Sequence, residues 1–386
     1  MFVLRLLLKN AFRHRLRTLL TMVGLVVAIS AFGLLRTIVD AWYAGAEASS
    51  STRLVTRNAT SLTVPLPLSY VQRLRAVDGV TGISWSNWFG GVYITERNFF
   101  PQFAVDPASY LALYPEFVLK DDERLAWLRD RQGVVVGRKL AGRFGWKVGD
   151  SVALRGTIYP GTWTFTVRAI YDGADAGVDE NQMLLHWQLI NERMRAVYRN
   201  RFSDMVGVYV VGIRDPANAA LVSQRIDEQF RNSLAETLTE TEKAFQLGFV
   251  SMSEAILVAL QAVGSIIIVI IMAVMANTMT MTARERLAEY ATLKALGFPP
   301  GFVVRLLFGE SLLIALVGGG AGLLLTLPLA SAFSNLAGTL FPVFRVSAGT
   351  MALQAAASLG VGVVAAAWPA WKMSRIDIVA GLRNIA

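Results

Sequence analysis

The sequence predicts a membrane α-helical protein with four transmembrane helices and a large α+β extracytoplasmic domain between helices 1 and 2. Three observations predict it. The 386 residues are 54% hydrophobic but still 17% charged, too apolar for an ordinary soluble domain and too charged to lie wholly in a bilayer. Four stretches stay apolar over the roughly 20 residues that a helix needs to cross a hydrocarbon core about 30 Å thick. Basic residues gather at the ends of those stretches.

The four spans read as residues 18–39, 255–281, 302–333 and 350–371. They divide the chain into an N-terminal segment (1–17), a long intervening region (40–254), a loop (282–301), a short connection (334–349) and a tail (372–386). Charge orients them. Arg5, Lys9, Arg13, Arg15 and Arg17 precede the first span, Arg284, Arg286, Lys294 and Arg305 lie around the loop, and Lys372, Arg375 and Arg383 follow the last. Only Glu285, Glu289, Glu310 and Asp377 oppose them there, so nearly all of the net charge of +9 sits at these three places. By the positive-inside rule they face the cytoplasm, both termini are cytoplasmic, and residues 40–254 lie outside. The same asymmetry accounts for the basic balance without nucleic acid as a partner. It places the chain in a cytoplasmic (inner) membrane as a multi-pass protein.

In the first segment Arg5, Lys9 and Arg13 recur every four residues, while Leu4, Leu7, Leu8, Ala11 and Phe12 fill the other faces. An amphipathic helix on lipid headgroups and a plain charged flank both fit. A cleavable signal peptide competes, but the apolar run is longer than a signal core, and three further spans follow. Between their ends the spans carry no ionisable side chain, which disfavours an ion-coupled carrier or a hydrophilic pore. They are instead rich in small residues, notably Gly318, Gly319, Gly320 and Gly322 in the third and Gly360 and Gly362 in the fourth. Close backbone packing within the bundle is preferred over a seam between two copies.

The loop between the second and third spans reads as a short helix. Leu287, Tyr290, Ala291 and Lys294 share a face, Arg286 and Glu289 stand one turn apart and can pair on the surface, and Gly297 followed by Pro299 supplies the stop. Arg286, Glu289, Ala291, Leu293, Lys294, Ala295, Leu296 and Gly297 together resemble the R-x-R-E-x-A-x-L-[KR]-A-[LI]-G stretch of the FtsX-like and MacB-like ABC transporter permease family. Glu310 falls where such permeases have a Glu early in the third span. Pro369, Ala370, Trp371 and Lys372, with Asp377, Ala380, Leu382 and Arg383, resemble the family's C-terminal ending, although Ile378 stands where Pro often follows the Asp.

The resemblance implies that Arg284, Arg286, Glu289, Leu293, Lys294, Leu296 and Gly297 form a coupling helix docking on an ATPase. It further implies an ATPase subunit dimer, a second permease copy, with a homodimer as the first reading and a heterodimer left open, and, in the efflux branch, a periplasmic adaptor with an outer-membrane channel. ATP and Mg would be bound by the partner. This chain has no G-x-x-x-x-G-K-[ST] and no Gly-Lys pair, and only seventeen residues precede the first span, where fused members carry their ATPase domain. The chain is therefore read as a permease and not an enzyme, with no catalytic, cofactor or metal residues of its own. MacB-like export comes first, with a lipoprotein-release permease, a complex controlling cell-wall hydrolases and a membrane-bound ligand sensor as alternatives.

In the long intervening region short strands alternate with helices. Strands are expected at 61–65, 80–85, 134–136, 152–154, 162–170 and 206–213, helices at 69–77, 138–144 and 217–234, and turns at Asp78-Gly79 and Gly149-Asp150. Residues 133–156 resemble the small β-rich insert of MacB-like domains and their flanks the porter-like part. Residues 236–254 are expected to continue as a helical stalk. Candidate chemistry is sparse. With no cysteine, and only His14 and His186, thiolate sites are excluded and a histidine-based site would rest on His186 alone. Asp172, Asp175, Asp179 and Glu180 lack the ligand spacing of a calcium loop. Trp85, Trp88, Phe89, Tyr93, Phe99, Phe100 and Phe103 read as strand core before they read as an apolar binding site.

Overall fold

A computed structural model describes residues 7, 10, 13–175, 177–198, 203–337, 341 and 343–375. Most of the predicted N-terminal amphipathic segment and the tail from Asp377 to Arg383 lie outside the described residues. The chain divides into two compact units. Helix α1 (Arg15–Glu47) opens it. Then come β1 (Arg53–Asn58), β2 (Leu66–Pro67), α2 (Tyr70–Arg75), β3 (Val80–Trp88), β4 (Gly91–Val92), β5 (Gln102–Val105), α3 (Pro107–Leu113), β6 (Phe117–Val118) and α4 (Asp121–Arg129). Next are β7 (Gly133–Gly137), α5 (Arg138–Phe144), β8 (Ser151–Gly156), β9 (Gly161–Gly173), β10 (Met183–His186), α6 (Trp187–Tyr198), β11 (Met205–Val206), β12 (Val208–Ile213), α7 (Ala219–Phe230), β13 (Thr237–Thr241) and α8 (Glu242–Ser251). The chain then runs through α9 (Glu254–Glu285), α10 (Leu287–Ala295), α11 (Pro300–Ala337) and α12 (Ala348–Ser374).

In the first unit, α1, α9, α11 and α12 are each long and apolar enough to span a bilayer. They share one core in which Leu25 and Ile29 of α1, Met275 of α9, Leu307 and Ala315 of α11 and Val361 of α12 are buried. Polar side chains stitch the helices together. Ser30 donates to the Gly322 carbonyl (2.9 Å), Gln354 to the Ile29 carbonyl (2.8 Å) and Thr326 (2.7 Å), and Ser358 to the Ala315 carbonyl (2.7 Å). In a medium without water such groups must find partners inside the protein. The small-residue pattern resolves in favour of the bundle: a Cβ on Gly319 would collide with Ser358, one on Gly322 would lie 2.9 Å from the Val26 carbonyl, and one on Gly362 2.8 Å from Ala315. Gly320 and Gly360 face open space. The spans are not free of ionisable groups, because Glu310 lies within α11 at 3% exposure. Its partner is described below.

The second unit is built on a mixed sheet ordered β13-β1-β12-β3-β5-β10-β7-β9-β8-β4, with β6 beside β9. β5–β10 and β7–β9 are parallel and the other pairs on this path antiparallel. Both faces are covered. On β7, Val134 and Val136 pack into one apolar cluster with Leu74, Leu140 and Ile226 from helices, while Val135 packs on the opposite side with Tyr110 and Trp127. Alternate side chains of a strand point to opposite faces, so a strand buried on both reads as an unbroken apolar run, as Val134-Val135-Val136 does.

Two expectations are corrected here. Residues 61–65 form no strand; Ser61 Oγ accepts from the Thr63 amide (3.2 Å) and Asn58 Oδ1 from that of Thr60 (2.9 Å), local bonds that compete with a ladder. The strand is β1, just before. The stalk is not helical throughout either, because Thr237-Leu238-Thr239-Glu240-Thr241 has the β-branched alternation of a strand and pairs with β1. Helix α8 starts only after Thr241, whose Oγ1 caps the Ala244 amide (3.2 Å).

A buried ion cluster ties these segments together. Arg53, at the start of β1, donates from Nε to Glu242 Oε2 (2.9 Å), from Nη1 to the Leu113 carbonyl (2.9 Å) and to Glu116, and stacks over Tyr114 at 4.1 Å. Glu242 also accepts from the Ser50 amide (2.9 Å) and the Tyr114 hydroxyl (3.0 Å). Burial pushes that hydroxyl well above its ordinary pKa, which keeps it a donor.

Candidate functional site

The loop between α9 and α11 folds as the sequence predicts, into α10 flanked by Arg286 and Leu296. Its C-terminal end is a Schellman motif: the Phe298 amide bonds the Leu293 carbonyl (3.1 Å) and the Gly297 amide that of Lys294 (3.0 Å). Gly297 has φ +88° with nothing near its missing Cβ, so the requirement for glycine there is conformational and not one of space.

The seven predicted residues separate into two groups. Arg284, Leu296 and Gly297 are exposed, Leu296 at 71%. Arg286, Leu293 and Lys294 turn toward the bundle, and Glu289 lies at the margin. Arg286 was expected on the surface, but its side chain is only 8% exposed. Its Nε donates to Glu289 (3.0 Å) and its Nη1 to Glu310 of α11 (3.0 Å), while the guanidinium lies 5.2 Å from the ring centre of the buried Tyr290. Glu289 also pairs with Arg13, and next to it Arg17 holds Glu285 through two bonds of 2.9 and 2.8 Å. Partial burial pushes the Glu289 carboxyl up, but the hydrogen bonds from Arg13 and Arg286 outweigh it and keep it below its ordinary value, hence ionised. At the other end of α10, Lys294 Nζ donates to the Ser374 carbonyl of α12 (2.7 Å).

The loop therefore has an anchored face and a free tip. The tip carries Leu296 and Phe298, the latter 42% exposed with its ring 5.0 Å from that of Phe302. Sequence reasoning missed Phe298, although an aromatic just before two prolines in a loop was the available signal. It also missed Glu310 as the anchor, because the pair spans two helices.

The remaining candidates are structural. His186 is buried, its Nε2 2.9 Å from the Trp127 carbonyl, and burial holds its pKa below the ordinary value. Asp172 is bound by Arg138 through two 2.8 Å bonds, Asp175 accepts from the Gly177 amide (2.7 Å), Asp179 from that of Asn181 (2.8 Å) and Glu180 from that of Gly173 (3.0 Å). Among the described residues no group of three or more His, Asp or Glu side chains is placed to hold a metal. Of the aromatics, Phe89 and Phe100 are core, whereas Trp88 and Phe99 stack on each other at 40% and 50% exposure.

Residues 18–229 match the MacB-like periplasmic core domain and residues 262–378 the FtsX-like permease C-terminal domain. An uncharacterized ABC transporter permease of Methanocaldococcus jannaschii is 24% identical over 405 residues, covering 97% of this chain and 96% of that one. The macrolide export ATP-binding/permease protein MacB of Rhodopseudomonas palustris is 29% identical over 153 residues, 39% of this chain and 21% of MacB. The chain thus spans about a fifth of the length of such longer relatives. The periplasmic region of MacB from Actinobacillus actinomycetemcomitans superposes with a TM-score of 0.37 at 10% identity, over 51% of this chain and 92% of that one. With one match covering more than half of the sequence and the other the helices that follow it, the chain belongs to the MacB-like, FtsX-like family of ABC transporter permeases.

Proposed function

We propose that this permease sits in a bacterial cytoplasmic membrane with both termini inside. There it transmits the work of an ATPase on another polypeptide to its extracytoplasmic domain, and the outcome is export. The observation that carries the reading is the build of the loop, with α10 anchored to the bundle on one face and Leu296 and Phe298 exposed at the tip that follows it. Large apolar side chains at a solvent-facing tip are what an interface core requires. The sequence holds no phosphate-cradling loop, so ATP and Mg are assigned to the partner. A pair of such permeases would engage a pair of ATPases. Export is favoured over lipoprotein release or hydrolase control by the similarity to the macrolide export protein MacB of Rhodopseudomonas palustris.

The test is Leu296→Arg. Glu289→Arg is less informative, because Glu289 is bonded to Arg13 and Arg286 and its loss disturbs the anchor as well. Placing a charge at the centre of an apolar contact costs about 2 kcal/mol or more, a loss of affinity of roughly 30-fold. Leu296→Arg is expected to abolish co-purification of the native ATPase and the stimulation of its activity while the permease stays folded. Native ATPase recovery with the variant would remove the docking assignment.

A further inference from the structure

We infer that the Arg286–Glu310 pair is a positioning element that fixes the loop helix α10 to the transmembrane helix α11, so that a displacement of one is passed to the other. This rests on the reading of α10 as the element the ATPase pushes.

The pair's placement is unusual for a membrane protein. Glu310 is 3% exposed and Arg286 8% at their side chains, and the two meet at 3.0 Å between Nη1 and Oε2. Charged groups inside a membrane-embedded bundle are costly and persist where they serve a purpose. A buried ion pair adds little to stability beyond what apolar residues of the same volume would supply, so stability alone does not account for it. What an ion pair supplies and apolar packing does not is direction. A guanidinium that donates from Nε to Glu289 and from Nη1 to Glu310 is fixed in one rotamer by two bonds, joining the first turn of α10 to the interior of α11. An apolar contact could slide.

Among the described residues the pair is the ionic link from the loop to the third span, beside the apolar cluster that Tyr290 shares with Leu306 and Leu307. Lys294 ties the far end of α10 to the Ser374 carbonyl at the end of α12, and Glu289 ties its first turn to Arg13, just before α1. Arg286 and Glu310 complete the set. Removing them should leave α10 tied to α12 through Lys294 and to Arg13 through Glu289, with no ionic link to α11 and free to shift against it.

The chain has no cysteine, so spin labels can be placed at will. Labels at Thr292→Cys and Leu316→Cys, both exposed positions, report the separation of α10 and α11 in the full-length permease in lipid nanodiscs. In R286M/E310L, which leaves no orphaned charge, the distance distribution is expected to widen at least twofold while the helical content and the elution volume remain native. Glu310→Gln, which keeps an acceptor at the same place, should restore most of the native width. If the double variant does not fold, Glu310→Leu alone, with Arg286 still bonded to Glu289, should widen the distribution, and a native width there overturns the inference. A native width in the folded double variant overturns the inference. In the complex, R286M/E310L should retain bound ATPase but lose its stimulation at least tenfold. Full stimulation also overturns it, and so does loss of the bound ATPase, which would make the pair part of the docking surface. The distance measurement needs no ATPase, whereas Leu296→Arg tests docking alone, so failure of the docking assignment is distinguishable from failure of the positioning role.

Discussion

Replacing Arg53 with methionine is expected to destabilise the α/β domain by about 3–5 kcal/mol, the range for removing one partner of a buried ion pair. The reason lies in what remains. Glu242, 6% exposed, would keep its bonds from the Ser50 amide and Tyr114 but lose its counterion, and Glu116 would lose its partner as well. Two carboxylates would then share a site built for one guanidinium, and the stacking on Tyr114 would be lost too. Pairing Arg53→Met with Glu242→Gln should recover a substantial part of the loss, because the orphaned charge is gone. Tryptophan fluorescence during denaturant unfolding reports on this domain, since all of the nine tryptophans except Trp368 and Trp371 lie between residues 42 and 252. A midpoint shift equal in the single and double variants would show that the charge is not what matters.

Gly319→Val should damage the helical bundle by about 1–3 kcal/mol, the usual range for forcing extra volume into a packed core, and more if the helices cannot separate. The new side chain would occupy the space of Ser358, whose hydroxyl bonds the Ala315 carbonyl, so the substitution breaks a link between α11 and α12 as well as overfilling the seam. Gly320→Val and Gly360→Val are internal controls, because a Cβ at either meets nothing within 4 Å. Thermal unfolding in detergent should place Gly319→Val well below native protein and both controls close to it. Equal loss in all three would mean that these glycines serve the helix backbone or a second copy instead of this seam.

The parts of the structure that were legible in the sequence are those set by local pattern. Length and hydropathy give the four spans, and the positive-φ Gly79, Gly145, Gly149 and Gly297 mark chain reversals or helix ends at the places where glycine stands. Helix α5 lies between the residues expected for it. Strand β1 was illegible because Arg53, Thr56, Arg57 and Asn58 make it look like a loop, and the carboxylates that pair with its two arginines stand some 60 to 190 positions away. The parallel pairings of β5 with β10 and β7 with β9 likewise depend on contacts across the chain that no local signal encodes.

The candidate site shows the same division. Leu296 is singled out by the family resemblance, whereas the helix and its stop follow from spacing. That Arg286 is an anchor and not a surface contact does not, because a basic residue beside Glu289 looks solvated until Glu310 is seen 24 residues on, across the Pro299-Pro300 turn. The exposed Phe298 is equally a matter of how α10 is seated against the bundle, whereas the inward Lys294 follows from the face it shares with Tyr290 and Ala291.

The proposed topology puts the α/β domain and the loop helix on opposite sides of the membrane, and cysteine accessibility tests it directly. In cells producing the permease alone, Leu234→Cys, in the α/β domain and fully exposed, should react with a membrane-impermeant maleimide in intact spheroplasts. Thr292→Cys, on the exposed face of α10, should react only once the membrane is opened. Labelling of Thr292→Cys in intact spheroplasts, with Leu234→Cys protected until lysis, would contradict the account.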